Sequence, residues 1–157
     1  MLATHDVRFV VIGGYATVLH GSALFTYDAD VCPARDSDNL THLCAALEEM
    51  DARLRAIDEP DGVPFSCSDQ FLAQMTMLNL TTRFGDFDLS FRPAGVGGYE
   101  ALVERAVDFD VGGLVVSVAG LDDIIHSKET ADRAKDRAAL PQLYALRDEI
   151  ARRHHAD

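Results

Sequence analysis

A chain of 157 residues with 48% hydrophobic content suits one domain, spanning 1–157, with a sizeable buried core. Its net charge of −12 repels nucleic acid backbones, so long DNA or RNA is an unfavourable partner; a nucleotide held through metal ions is compatible, because the ions invert the local charge. No apolar run approaches the ~18 residues that a membrane helix needs. The start, MLATHDVRF, has no signal-peptide pattern, and Cys32, Cys44 and Cys67 lack C-x-x-C spacing. Together these read as a cytoplasmic protein whose cysteines are small reduced core residues.

In chain order, Arg8 to Ile12 is a β-branched run closed by Gly13-Gly14, the pattern of a buried strand. Tyr15 to His20 is a short helix stopped at Gly21. Phe25 to Val31 reads as a second strand. A helix follows from Asp36 to Met50, with Asp36 or Ser37 as N-cap and Leu40, Leu43, Cys44 and Leu47 on one stripe. Asp58 to Asp69 reads as a loop. Gln74 to Thr82 and Phe84 to Phe91 read as strands around Arg83; in the second, Phe87, Leu89 and Phe91 share one face while Asp86, Asp88 and Ser90 share the other. Gly95 to Gly98 leads to a short helix, Tyr99 to Ala106. Val107 to Val111 and Leu114 to Val118 form a hairpin through Gly112-Gly113. One helix starts near Leu121 and another at Pro141. The expected class is α/β (α+β), a mixed sheet flanked by helices, with helices at the C-terminal end.

Three features point to chemistry. Gly13-Gly14 closes a strand and opens a helix, where backbone N–H groups can approach a phosphate; a plain tight turn is the competing reading. Asp28 and Asp30, two apart on a strand, present both carboxylates to one face. Adjacent like charges are costly unless a cation sits between them, and magnesium takes one or two carboxylates plus substrate phosphates. A solvated edge strand is the alternative. Asp88 supplies a third carboxylate, with Asp86 beside it as an exposed turn residue.

Strand, Gly-Gly, short helix, DxD strand and a later Asp strand, in that order, resemble the nucleotidyltransferase superfamily, whose fold is polymerase β-like. His20-Gly21, Thr26 ahead of Asp28, the run Asp123 to Lys128 and the run Arg133 to Asp136 resemble the bacterial branch related to abortive-infection and toxin–antitoxin nucleotidyltransferases. The resemblance implies magnesium-dependent transfer, with manganese as the substitute ion, of a nucleoside monophosphate from a nucleoside triphosphate to an acceptor: protein, RNA or small molecule. It also implies a possible protein partner from a two-gene system. Carried over by position, Asp28, Asp30 and Asp88 are the catalytic and metal-binding carboxylates, and Gly13, Gly14 and Lys128 hold the nucleotide.

Lys128, Asp132 and Lys135 continue the stripe begun by Leu121, Ile124 and Ile125, as expected of a helix whose second half borders a cleft. Ion pairs of Asp132 with Lys128 and Lys135 are the competing account. Departures from the family pattern are Tyr15 where Ser is common, Leu24 where Arg is common, and Ala139 where a second acid often follows. They motivate an alternative: a catalytically weak or inactive module of the same fold, antitoxin-like. A metal-dependent phosphohydrolase is a third reading. His20 reads as structural. His126, His154 and His155 lack metal spacing, and the tail from Arg147 reads as a solvated helix end.

Overall fold

The computed structural model describes residues 1–154, with side chains through residue 153. Eight strands form one sheet: β1 (Phe9–Ile12), β2 (Ala29–Pro33), β3 (Arg53–Ala56), β4 (Glu59–Val63), β5 (Met77–Thr82), β6 (Gly85–Ser90), β7 (Val107–Val111) and β8 (Leu114–Val118). Their order across the sheet is β4-β3-β5-β6-β2-β1-β8-β7. The β1–β8 and β2–β6 pairs are parallel and the others antiparallel, so the sheet is mixed. Six helices accompany it: α1 (Gly13–Leu19), α2 (Ser37–Glu49), α3 (Asp69–Gln74), α4 (Tyr99–Val103), α5 (Leu121–Ala131) and α6 (Ala134–His154). No helix of the described residues is long and apolar enough to cross a membrane.

Strand alternation sorts the core into two layers. Val31, Leu80, Phe87 and Leu89 face α2 and α3, meeting Leu40, Leu43, Leu47 and Leu72. Val10, Cys32 and Val118 face the other way, meeting Ala16, Leu102, Ile124, Ile125 and Leu143 from α1, α4, α5 and α6. The second helical layer stands over β1 and β8. It leaves the β6–β5–β3 side of the same face open, and Asp86 and Asp88 lie on that side.

Several boundaries differ from the sequence reading. Strand β2 begins at Ala29, because residues 22–28 run irregularly from α1; Phe25 and Tyr27 stay exposed and touch each other edge to face at 4.8 Å. The expected loop from Asp58 to Asp69 holds strand β4, which pairs with β3, and ends where α3 begins. Pro60 and Gly62 disguise β4, but both are tolerated because β4 is an edge strand. Helix α3 is capped by the Ser68 hydroxyl, which accepts from the Phe71 N–H at 3.1 Å. Pro141 lies inside α6 and starts nothing. Leu140, Leu143 and Tyr144 pack into the core while Pro141 faces solvent, so burial carries the helix through a residue that cannot donate to the preceding turn. Helix α5 ends at Asp132, which adopts a left-handed conformation (φ 47°), so the stripe from Leu121 does not continue past it. Asp132 pairs with Arg137 at 2.9 Å, in place of the expected pairs with Lys128 and Lys135.

The reading of three reduced cysteines is also corrected. Residues 64–68 bring Cys67 against α2, where it is bonded to Cys44 with Cα atoms 5.5 Å apart; Cys32 remains free and buried. Among the tail residues, Arg147 and Arg153 pair with acids on the same helix and nearby. The His154 side chain and His155 lie outside the described residues.

Candidate active site

Strand register assembles the carboxylates. The parallel β2–β6 pair aligns Asp30 with Asp88, and the antiparallel β1–β2 pair aligns Ile12 with Asp30. Because Gly13 follows Ile12, the first turn of α1 is laid directly against Asp30. A Cβ on Gly13 would stand 2.5 Å from Asp30 Oδ2, and one on Gly14 would stand 2.5 Å from Thr26 Oγ1. Gly13 also has φ +65°, a conformation that costs an L-residue about 1–2 kcal/mol. Gly13→Ala is therefore expected to lower stability by about that amount and to displace the Asp30 carboxylate. Thermal unfolding and a metal titration read the two effects separately.

Asp28, Asp30 and Asp88 line one cleft of about 850 Å³, together with Gly13 and Gly14. Its size lies within the ~300–1,000 Å³ range of small-molecule sites. Lys128 on α5 lines the opposite wall, with Arg133 and Lys135. Carboxylates and cations thus share one cleft, with Ile124, Leu102 and Val96 in its apolar lining. All six residues predicted from the sequence meet in this cleft. Asp86 does not line it.

The electrostatics show which groups are under tension. Burial, then the neighbouring Asp88 and Asp28, push the Asp30 carboxyl up from 3.8 to about 6. Asp88 is raised too, by burial first, with Arg55 opposing and Asp28 adding to it. Among the described residues no hydrogen-bond donor contacts the carboxylate of Asp28 or Asp30. Lys128 is not free: its Nζ donates to Asp136 at 3.3 Å. His20 Nε2 donates to the Ala119 carbonyl at 2.8 Å and sits edge-on to Phe109, a structural position.

These carboxylates fit a hard divalent cation. They are mutually repelling oxygen donors beside a backbone cradle without side chains, and among the described residues only the Asp88 carboxylate accepts a hydrogen bond. Among the described residues no three His, Cys, Asp or Glu side chains close on one point, so the set is partial. Magnesium accepts such a set when substrate phosphates complete it.

Sequence reasoning missed Arg55. It lies on β3, in the segment Arg53-Leu54-Arg55-Ala56, whose period-two alternation was the available signal. With Leu54 in the core layer, Arg55 faces the cleft and reaches Asp88 at 3.0 Å.

No protein-family model and no curated protein sequence matches the chain. Solved structures do. The lincomycin-bound lincosamide antibiotic adenylyltransferase LnuA superposes with a TM-score of 0.58 at 12% identity, covering 92% of this chain and 90% of its own. The antibiotic-resistance factor ANT(2'')-Ia superposes with a TM-score of 0.53 at 15% identity, covering 98% of this chain and 87% of its own. The chain has a nucleotidyltransferase-like fold. At these identities the likeness is one of fold, extended over nearly the whole chain. It agrees with the mixed sheet and flanking helices expected from the sequence.

Proposed function

We propose that this chain, taken as one domain over 1–157, transfers a nucleoside monophosphate from a nucleoside triphosphate to a hydroxyl of a small-molecule acceptor. The observation that carries the reading is the alignment of Asp30 with Asp88 against the side-chain-free start of α1, across a cleft from Lys128. Asp28, Asp30 and Asp88 would hold magnesium, or manganese in its place. When bound, the ion supplies positive charge that draws the triphosphate in and stabilises charge developing in transfer. Gly13 and Gly14 let the backbone N–H groups of α1 approach the phosphates. Lys128 faces them from the other wall. Asp88 accepts the proton of the attacking hydroxyl; the new bond joins acceptor oxygen to the α-phosphorus, and the bond to pyrophosphate breaks. The neighbours' connection to antibiotics supports a small acceptor over protein or RNA. A cleft with an apolar lining supports it as well.

Calorimetric titration with magnesium and each triphosphate tests the reading. Wild type is expected to bind nucleotide only with metal, and Asp28→Asn/Asp30→Asn to lose that binding. Absence of metal-dependent binding in wild type would sink the proposal.

A second reading keeps the fold but not the transfer: a binding module paired with a protein from a two-gene system. It is favoured by Tyr15, Leu24 and Ala139, and by the engagement of Lys128 with Asp136. Copurification with a neighbouring gene's product, and biological activity that survives the double asparagine variant, would select it. Release of free monophosphate with no acceptor would indicate a phosphohydrolase instead.

A further inference from the structure

We propose that Arg55 is an internal counter-cation that competes with the divalent metal for Asp88, so that metal loads together with the triphosphate and not before it. The inference rests on the metal site proposed above and adds a residue that the sequence reading did not contain.

Three carboxylates share the cleft, but they are held differently. Asp28 and Asp30 have no hydrogen-bond donor among the described residues. Asp88 has one. Arg55 Nη2 donates to Asp88 Oδ1 at 3.0 Å and to the Leu80 carbonyl at 2.8 Å, and its Nε stands 3.5 Å from Asp86 Oδ2. The Leu80 bond anchors the guanidinium across β5, so its position is fixed by backbone as well as by charge. The Arg55 and Asp88 side chains are 32% and 17% exposed, so solvent screens the contact only in part.

A guanidinium fixed by planar hydrogen bonds is always charged and is weakly hydrated, which suits it to such a half-buried pair. A divalent ion held by Asp88 would meet this resident positive charge, which stands 3.0 Å from the Asp88 carboxylate. Two cations on one carboxylate repel appreciably even in a partly solvated site. The triphosphate brings the negative charge that offsets the repulsion. In its absence, Arg55 reduces the net charge of the carboxylate group and lets the apo site persist without metal.

Manganese binding measured by the loss of free-ion electron paramagnetic resonance signal, without nucleotide, tests this. Arg55→Gln and Arg55→Ala remove the charge and are expected to bind manganese about tenfold more tightly than wild type. Arg55→Lys keeps the charge and is expected to stay near wild type. Arg55→Gln/Asp88→Asn is expected to bind no more tightly than Asp88→Asn alone, because the competition is for Asp88. A purely structural role for Arg55 would not tighten metal binding. Unchanged or weaker binding in both neutral variants overturns the inference while leaving the metal site intact. Equal binding by Arg55→Gln and Arg55→Gln/Asp30→Asn overturns the metal site itself, and the inference with it.

Discussion

Asp30→Asn is expected to abolish metal-dependent triphosphate binding and, at neutral pH, to make the protein more stable. The two effects share one cause. Asp30 is partly buried between Asp28 and Asp88, and its carboxyl is raised from 3.8 to about 6. A folded-state value above the unfolded one means that the folded protein holds the proton more tightly. The resulting stabilisation is complete below pH 3.8 and is lost as pH rises through 6. At pH 7 the ionised group opposes folding, by about 2–3 kcal/mol from the size of the shift. Asparagine cannot ionise and escapes that cost. For a chain of this length the expected gain in Tm is roughly 4–12 °C at pH 7, shrinking towards zero below pH 4. Magnesium together with a triphosphate should reverse the ranking, since a ligand that binds only the folded wild type stabilises it by mass action. Thermal unfolding of both proteins from pH 4 to pH 8, with and without magnesium and triphosphate, reads all of this. A variant less stable than wild type at pH 7 without metal would show that the Asp30 carboxylate is neither desolvated nor repelled as described.

The pattern that sets this site was visible in the sequence because it is local. A β-branched run ending in Gly13-Gly14 and carboxylates two apart at the entry to the next strand, Asp28 just before it and Asp30 within it, need no long-range information. The period of two in Asp86-Phe87-Asp88-Leu89 separates the core face from the cleft face, and the buried Phe87 and Leu89 follow it. The Gly112-Gly113 hairpin was equally legible, with Val111 paired to Leu114. What escaped depends on tertiary context. Pro60 and Gly62 are breakers in isolation, yet an edge strand has one unpaired side where a missing N–H goes unnoticed. Pro141 marks a helix start by local rules, yet Leu140 and Leu143 bury α6 across it. The break at Asp132 carries no glycine to announce it. Arg55 was hidden for a different reason. Its partner is 33 residues away, and it reaches Asp88 only because β5 lies between β3 and β6. The pairing of Cys44 with Cys67 likewise required knowing that the chain returns to α2.

Asp136→Ala is expected to destabilise the protein more than any substitution in the cleft. Asp136 is fully buried at the joint between α5 and α6. Arg133 Nε donates to Asp136 Oδ2 at 2.6 Å and Lys128 Nζ donates to Oδ1 at 3.3 Å. Burial alone would raise the carboxyl, but the Arg133 hydrogen bond and the Lys128 charge outweigh it and hold the group below the usual carboxylate value. Its stabilising contribution is therefore present at neutral pH and fades as pH falls below 3.8 through that lowered value. Removing one partner of a buried pair leaves the other uncompensated, at a cost of about 3 kcal/mol. That corresponds to a Tm lower by roughly 6–12 °C. The size follows from the stranded Lys128 amine, which is only 18% exposed, and not from the lost attraction alone. Lys128→Met/Asp136→Leu, which removes both charges and keeps apolar volume, is expected to recover most of the loss. If the double variant is as unstable as Asp136→Ala, then packing at the α5–α6 joint, and not the stranded charge, accounts for the loss. If it recovers stability but loses triphosphate affinity, the nucleotide needs the charge of Lys128.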